Sequence, residues 1–181
     1  MVYRPAEDSY LLLRHVEGLA GGLVLDMGTG SGIQAEAAAS KRGVDLVVAV
    51  DVNPRAVEEA DRGLRRAGLR GRVELLISDL FSGLRITGLF DWMVFNPPYL
   101  PSEGVADEAS WAGGLRGGET LERFLSEASR YLKPGGGILL VYSTLTGIDP
   151  EVFKGYEAET LEMLPLFYEH LLCVLLRPKP S

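Results

Sequence analysis

Hydrophobic positions along this chain concentrate in short segments, and between the segments apolar residues return every three or four places. Residues 23–27, 46–51, 73–77, 91–95 and 138–143 are mainly apolar segments of strand length, and 23–27 and 46–51 read as buried strands. Between them the spacing predicts helices. The first covers 5–19: Pro5 suits a first turn, Glu7 and Asp8 suit the positive end of the helix dipole, and Gly21-Gly22 ends it. A second, alanine-rich, covers 33–42. A third starts at Asn53-Pro54, a side-chain cap followed by a helix-starting proline, and Gly68 ends it. It carries Ala56, Ala60 and Leu64 on one face and the i,i+4 pairs Glu58/Arg62 and Asp61/Arg65. The fourth, 119–132, is broken by Lys133-Pro134-Gly135-Gly136-Gly137. A short helix near 150–155 and strands near 158–164 and 169–176 complete the chain.

Alternation of strand and helix predicts an α/β domain, a doubly wound and mostly parallel sheet with helices on both faces. Ligands of such sheets sit beyond the C-terminal ends of the strands. The 181 residues suffice for one domain, 1–181, with a sizeable core. The net charge of −7 gives no general basic face for a nucleic-acid backbone, so direct nucleic-acid binding is not expected. Arg62, Arg65, Arg66, Arg70 and Arg72 read as a solvated helix face followed by a turn. Leu171–Leu176 is far shorter than the ~20 residues of a membrane span, and the charged N-terminal stretch is unlike a secretory signal. The expectation is a soluble, cytoplasmic protein without membrane contact. Cys173, the single cysteine, allows no intrachain disulfide or cysteine-cluster metal site and reads as a buried structural thiol; no metal is expected.

The residues that carry chemistry stand just after the strands. After the first comes Asp26-Met27-Gly28-Thr29-Gly30-Ser31-Gly32. Such a turn lets backbone approach a ligand, and Asp26 suits a cationic or amino group. The third glycine comes one place too early for the dinucleotide fingerprint. After the second stands Asp51, either a two-oxygen acceptor for ribose hydroxyls or a surface acid. After the third stand Ser78-Asp79-Leu80: Asp79 could accept an exocyclic amine while Leu80 packs on a ring. After the fourth comes Asn96-Pro97-Pro98-Tyr99, the sharpest signal. Two prolines remove two backbone donors and leave carbonyl acceptors, Asn96 adds a side-chain carbonyl, and Tyr99 adds a ring. Together they suit a planar NH₂ group. His15 and His170 lie far from these motifs in the sequence and read as surface or structural residues.

These motifs, in this order, resemble the class I S-adenosylmethionine-dependent methyltransferases. The Asn-Pro-Pro-Tyr tetrad is similar to that of enzymes acting on planar nitrogens: adenine N6, guanine N2 or glutamine amide. The segments Tyr3-Arg4-Pro5-Ala6-Glu7-Asp8-Ser9 and Trp111-Ala112-Gly113-Gly114 resemble the eukaryotic and archaeal branch of HemK-type protein-glutamine N5-methyltransferases. The resemblance implies a seven-stranded Rossmann-like sheet with one antiparallel strand near the C-terminus. It implies methylation of the glutamine in the Gly-Gly-Gln loop of a peptide-chain release factor, with adenine N6 in a nucleic acid as the alternative. It implies S-adenosyl-L-methionine as cofactor, with Asp26, Gly28 and Gly30 at its methionine part, Asp51 at the ribose, Asp79 and Leu80 at the adenine, and Ser9 closing over it from an N-terminal cover, 1–20. Glu7 and Asp8 either support that cover or only favour the helix start. Asn96, Pro97 and Tyr99 are the expected catalytic residues, Asn96 also lying beside the cofactor. The acidic loop 100–118 reads as a substrate-facing lid or a plain insertion. Bacterial relatives place a helical substrate domain ahead of the catalytic one. This chain has no length for it, so the resemblance implies a partner, a small zinc-binding activator subunit. An NAD enzyme fits the glycine spacing poorly, and a tetrahedral lysine ammonium fits a planar pocket poorly.

Overall fold

The computed structural model describes residues 2–98 and 118–180. Its elements are α1 (Glu7–Leu19), β1 (Gly22–Met27), α2 (Ile33–Ala39), β2 (Val44–Asp51), α3 (Pro54–Arg66), β3 (Val73–Ile77), β4 (Phe90–Phe95), α4 (Glu119–Ala128), β5 (Leu132–Ser143), β6 (Tyr156–Pro165) and β7 (His170–Pro178). The seven strands form one sheet in the order β3-β2-β1-β4-β5-β7-β6. The first five strands run parallel, and β7 lies antiparallel between β5 and β6, as expected.

Period-two alternation sends successive side chains of each strand to opposite faces. Val24, Val94, Leu139 and Val141 pack on one face with Leu11, Leu12 and Val16 of α1 and the alanines of α2. Leu25, Met27, Met93, Phe95, Ile138 and Leu140 pack on the other with Leu121, Phe124 and Leu125 of α4. Both faces are covered, which is why the central strands are mostly apolar rather than alternating.

Local chemistry sets several boundaries. The Asn53 side chain accepts from the backbone N–H of Arg55 at 3.0 Å and caps α3. Gly32, at φ 87°, starts α2 in the left-handed region, and a Cβ there would meet the Ala60 Cβ of α3 at 2.9 Å. The third glycine is thus a close contact between helices. α2 stops at Ala39, and the Ser40 hydroxyl turns back onto the Glu36 carbonyl at 2.8 Å.

Three sequence expectations are corrected. α4 ends at Ala128, and the glycines after Pro134 lie within β5 instead of breaking the chain before it. The register of β5 against β4 shifts between Phe90 and Trp92, and Gly137 packs against the Trp92 ring, 3.0 Å from where a Cβ would stand. A side chain there would collide, and a Cβ at Gly136 would crowd the Asp91 carbonyl at 3.1 Å, so these two glycines serve close strand packing. The short helix near 150 is a single 3-10 turn, Pro150–Phe153, capped by Asp149. The arginine cluster is only partly a solvated face. Arg65 and Arg70 both grip Asp61, at 2.7 and 2.6 Å. Arg72 reaches the carbonyls of Lys41, at 3.0 Å, and Val44, which ties the turn before β3 to the start of β2.

His15 meets Glu162 at 2.9 Å, between α1 and β6. Cys173 is fully buried, and burial pushes its thiol up to about 12. Among the described residues no helix is long and apolar enough to cross a membrane.

Candidate active site

Parallel pairing aligns the ends of the central strands. Met27 lies opposite Val50 and Phe95, and Asp51 lies opposite Ile77. The motifs that follow β1, β2, β3 and β4 therefore share one edge of the sheet. The order reverses between β1 and β4, where doubly wound sheets open a crevice.

At the end of β1 the chain turns tightly: the Thr29 N–H donates to the Val50 carbonyl at 2.9 Å, and the Gly32 N–H to Thr29 at 2.8 Å. Gly30 has φ 54°, and a Cβ there would meet nothing closer than 3.9 Å. The turn demands glycine for its backbone, and the space above it is open to a ligand. Asp26 lies beneath, 2% exposed, taking the Thr29 hydroxyl on Oδ2 at 2.6 Å. Burial is the main influence on this carboxyl and lifts it to about 7, against the opposing effect of the Thr29 hydrogen bond.

Asp51 binds the same turn from the next strand. Its Oδ2 accepts from the Gly30 N–H at 2.9 Å, and its Oδ1 from the Asn53 N–H at 2.8 Å. Burial raises its pKa as well, while these backbone donors pull it down. Asp51 thus joins the glycine turn to the start of α3 while its carboxylate stays on the crevice edge.

At the end of β3, Ser78 organises a 3-10 turn. Its hydroxyl accepts from the Gly83 N–H at 2.8 Å and donates to the Leu80 carbonyl at 3.1 Å. Leu80 sits at φ 45°, a left-handed conformation that costs a non-glycine residue energy and tends to occur at functional sites. Asp79 is exposed, and its Oδ2 takes the Arg123 guanidinium of α4 at 2.8 Å.

After β4 stands Asn96. Its Nδ2 donates to Oδ2 of Asp8 at 3.1 Å and lies 3.4 Å from the Ser9 hydroxyl. Its Oδ1 is buried and has no hydrogen-bond partner among the described residues. Ser9 is buried too, and its carbonyl takes the Gln34 side-chain amide at 2.8 Å. The fold therefore brings Asn96, Asp8 and Ser9 together from opposite ends of the first half of the chain. It holds Asp26, Gly30 and Asp51 around one turn, and it sets Asp79 beside Arg123. Tyr99 and all of the loop 100–118 except Gly118 lie outside the described residues.

The model of the methyltransferase small domain matches residues 6–159. The chain belongs to that family. It is 37% identical over 182 residues to a candidate protein N5-glutamine methyltransferase of Methanocaldococcus jannaschii, covering 96% of this chain and 90% of that one. It is 39% identical over 176 residues to methyltransferase HEMK2 of Mus musculus, covering 89% and 80%. It is 34% identical over 145 residues to the release factor glutamine methyltransferase of Gloeobacter violaceus, covering 75% of this chain and half of that one. The chain is thus a HemK-type methyltransferase.

Three residues of this neighbourhood were not singled out by the sequence as site residues. Asp8 read equally well as a helix-dipole residue, and only its contact with Asn96 separates the readings. Gln34 had one signal, its place in the first turn after the glycines. Arg123 had none, because nothing in a helix pattern says that one of its arginines meets a strand-end acid.

Proposed function

We propose that this methyltransferase uses S-adenosyl-L-methionine to methylate the side-chain amide nitrogen of a glutamine, in the Gly-Gly-Gln loop of a peptide-chain release factor. The observation that carries the reading is the buried Oδ1 of Asn96, which has no hydrogen-bond partner among the described residues. A buried acceptor without a partner costs free energy, so it persists where function fills it. A primary amide offers two N–H groups, and Oδ1 of Asn96 and the carbonyl of Pro97 are the acceptors on offer.

The crevice fits the cofactor by the chemistry of its groups. Asp26 suits an ammonium, Asp51 a pair of ribose hydroxyls, Gly30 leaves open space above the turn, and Asp79 and Leu80 suit an adenine edge and face. Ser9 and the rest of 1–20 serve as its cover. When bound, S-adenosylmethionine supplies an electrophilic sulfonium methyl that needs no activation by the protein.

The protein's task is then placement. An amide nitrogen is a poor nucleophile because its lone pair is delocalised. Accepting both N–H groups orients that nitrogen toward the methyl at near-attack distance, ~3–3.5 Å. The same two oxygens stabilise the positive charge that grows on nitrogen as the N–C bond forms. The methylated nitrogen carries one proton too many, is strongly acidic, and releases it to water. Tyr99 stacks on the amide plane, and 100–118 faces the protein substrate. A zinc-binding activator subunit completes substrate recognition.

The test incubates the protein, with and without the activator, with methyl-labelled cofactor. Substrates are a release factor, its Gly-Gly-Gln to Gly-Gly-Ala variant, and DNA. Label on the wild-type factor alone supports the reading. Label on the variant or on DNA overturns it.

A further inference from the structure

The proposed mechanism needs the Asn96 amide to face one way, with its carbonyl toward the substrate. A side-chain amide is nearly symmetrical in shape, and nothing in Asn96 itself chooses between the two orientations. The choice comes from Asp8. Its carboxylate is an acceptor only, so the group turned toward it must be the donor, Nδ2. The reversed amide would set Oδ1 against Oδ2 of Asp8, two acceptors in contact at a 2% exposed site.

Asp8 is itself held from several sides. The Tyr3 hydroxyl lies 3.0 Å from both carboxylate oxygens. The Ser9 N–H reaches Oδ1 at 2.5 Å, and the Ser9 hydroxyl reaches the same oxygen at 3.1 Å. The carboxylate therefore cannot swing away when Asn96 is pulled by a ligand. A residue needed only for the dipole of α1 would be expected at an exposed first-turn position, as Glu7 is, where the same electrostatic benefit carries no burial cost.

We propose that Asp8 is a positioning residue for methyl transfer: it locks the Asn96 amide with Oδ1 toward the reacting nitrogen, acting through Asn96 without touching the substrate. This rests on the reading of Asn96 given above. It also explains why Tyr3, Asp8 and Ser9 belong to one segment, since that segment builds both the cover and the support of Asn96.

The test compares Asp8→Asn, Tyr3→Phe and Asn96→Ala with the unaltered protein, under saturating cofactor and substrate. In Asp8→Asn the two Ser9 donors keep the amide oxygen at the Oδ1 position and turn its NH₂ toward Asn96, so the reversed orientation of Asn96 becomes the favoured one. In Asp8→Asn, kcat is expected to fall about 10- to 100-fold, the worth of a hydrogen bond to a charged group. KM for the release factor and Kd for the cofactor should move little, and the side-chain amide resonance of Asn96 should shift. Tyr3→Phe, which leaves the carboxylate in place but loosens it, should lower kcat by only a few-fold; it keeps the idea testable if Asp8→Asn does not fold. Unchanged kcat in Asp8→Asn, or in Tyr3→Phe if only that variant folds, overturns the proposal when Asn96→Ala is inactive. A cofactor Kd that weakens in step with kcat overturns it too, because it assigns Asp8 to cofactor binding. An active Asn96→Ala removes the earlier reading of the site, and the proposal with it.

Discussion

The Thr29 hydroxyl donates to Oδ2 of Asp26 at 2.6 Å, at the floor of the glycine turn and out of reach of solvent. This one donor does not offset the loss of water around the carboxyl, whose pKa stands at about 7 instead of 3.8. The folded state therefore binds a proton more tightly than the unfolded chain between these values. Stability falls as pH rises from about 4 to about 7, and the whole loss is present above that. Asp26→Asn removes the charge. Its melting temperature relative to the unaltered protein should rise by several degrees more at pH 8 than at pH 5, at about 2–4 °C per kcal/mol for a domain of this size. Thermal melts of both proteins without cofactor check this, and an equal difference at the two pH values contradicts it.

Asn96→Ala removes the buried acceptor Oδ1 and leaves Asp8 with its other donors. Turnover should drop about 100- to 1,000-fold, as for loss of one donor or acceptor aimed at transition-state charge. Cofactor binding, followed by calorimetry, should change far less. Parallel loss of both would place Asn96 in cofactor binding alone.

Gly32 and Gly30 share a turn but answer to different constraints. Gly32→Ala drives a Cβ to 2.9 Å from Ala60 at a left-handed φ, and should cost about 2–4 kcal/mol of unfolding free energy. Gly30→Ala meets no such neighbour and should cost about 1 kcal/mol from its backbone alone, while weakening cofactor binding. Urea titrations of the two variants rank them, and equal losses would remove the distinction.

Both members of the Asp79–Arg123 pair are more than half exposed. Arg123→Ala should change stability by less than about 1 kcal/mol. It should also leave cofactor affinity intact, since Asp79 keeps its place on the turn after β3. Asp79→Ala should weaken the cofactor about tenfold, the worth of one hydrogen bond to a charged group. Calorimetry on the two variants separates the roles.

Arg72 spans two carbonyls, whereas Arg62 is exposed on α3. Arg72→Ala should destabilise the fold by about 1–3 kcal/mol, because two half-buried carbonyls lose their donor. Arg62→Ala should lie within about 0.5 kcal/mol of the unaltered protein. Thermal melts test both.

The sequence by itself determined the sheet and the gathering of its strand-end motifs at one edge. Mainly apolar segments require strands covered on both faces, and motifs that follow strands in a parallel sheet must gather at one edge. Asn53-Pro54 located the start of α3, because a side-chain cap and a fixed φ act within a few residues. The strand-end places of Asp26, Asp51 and Asn96 were legible for the same reason, since each directly follows or closes an apolar run.

Tertiary structure alone decided which neighbours those residues acquire. The glycines after Pro134 read as a break because glycine is a local signal for a turn, yet Gly137 pairs with β4, where the Trp92 ring leaves no room for a side chain. Gly32 read as part of a ligand loop, yet its limit is a helix 28 residues further on. Asp8 and Asn96 stand 88 positions apart, and Asp79 and Arg123 stand 44 apart. Local patterns report only what lies within a turn or two of the backbone. Contacts across such separations exist only once the sheet has formed and its edge brings the strand ends and the first helix together.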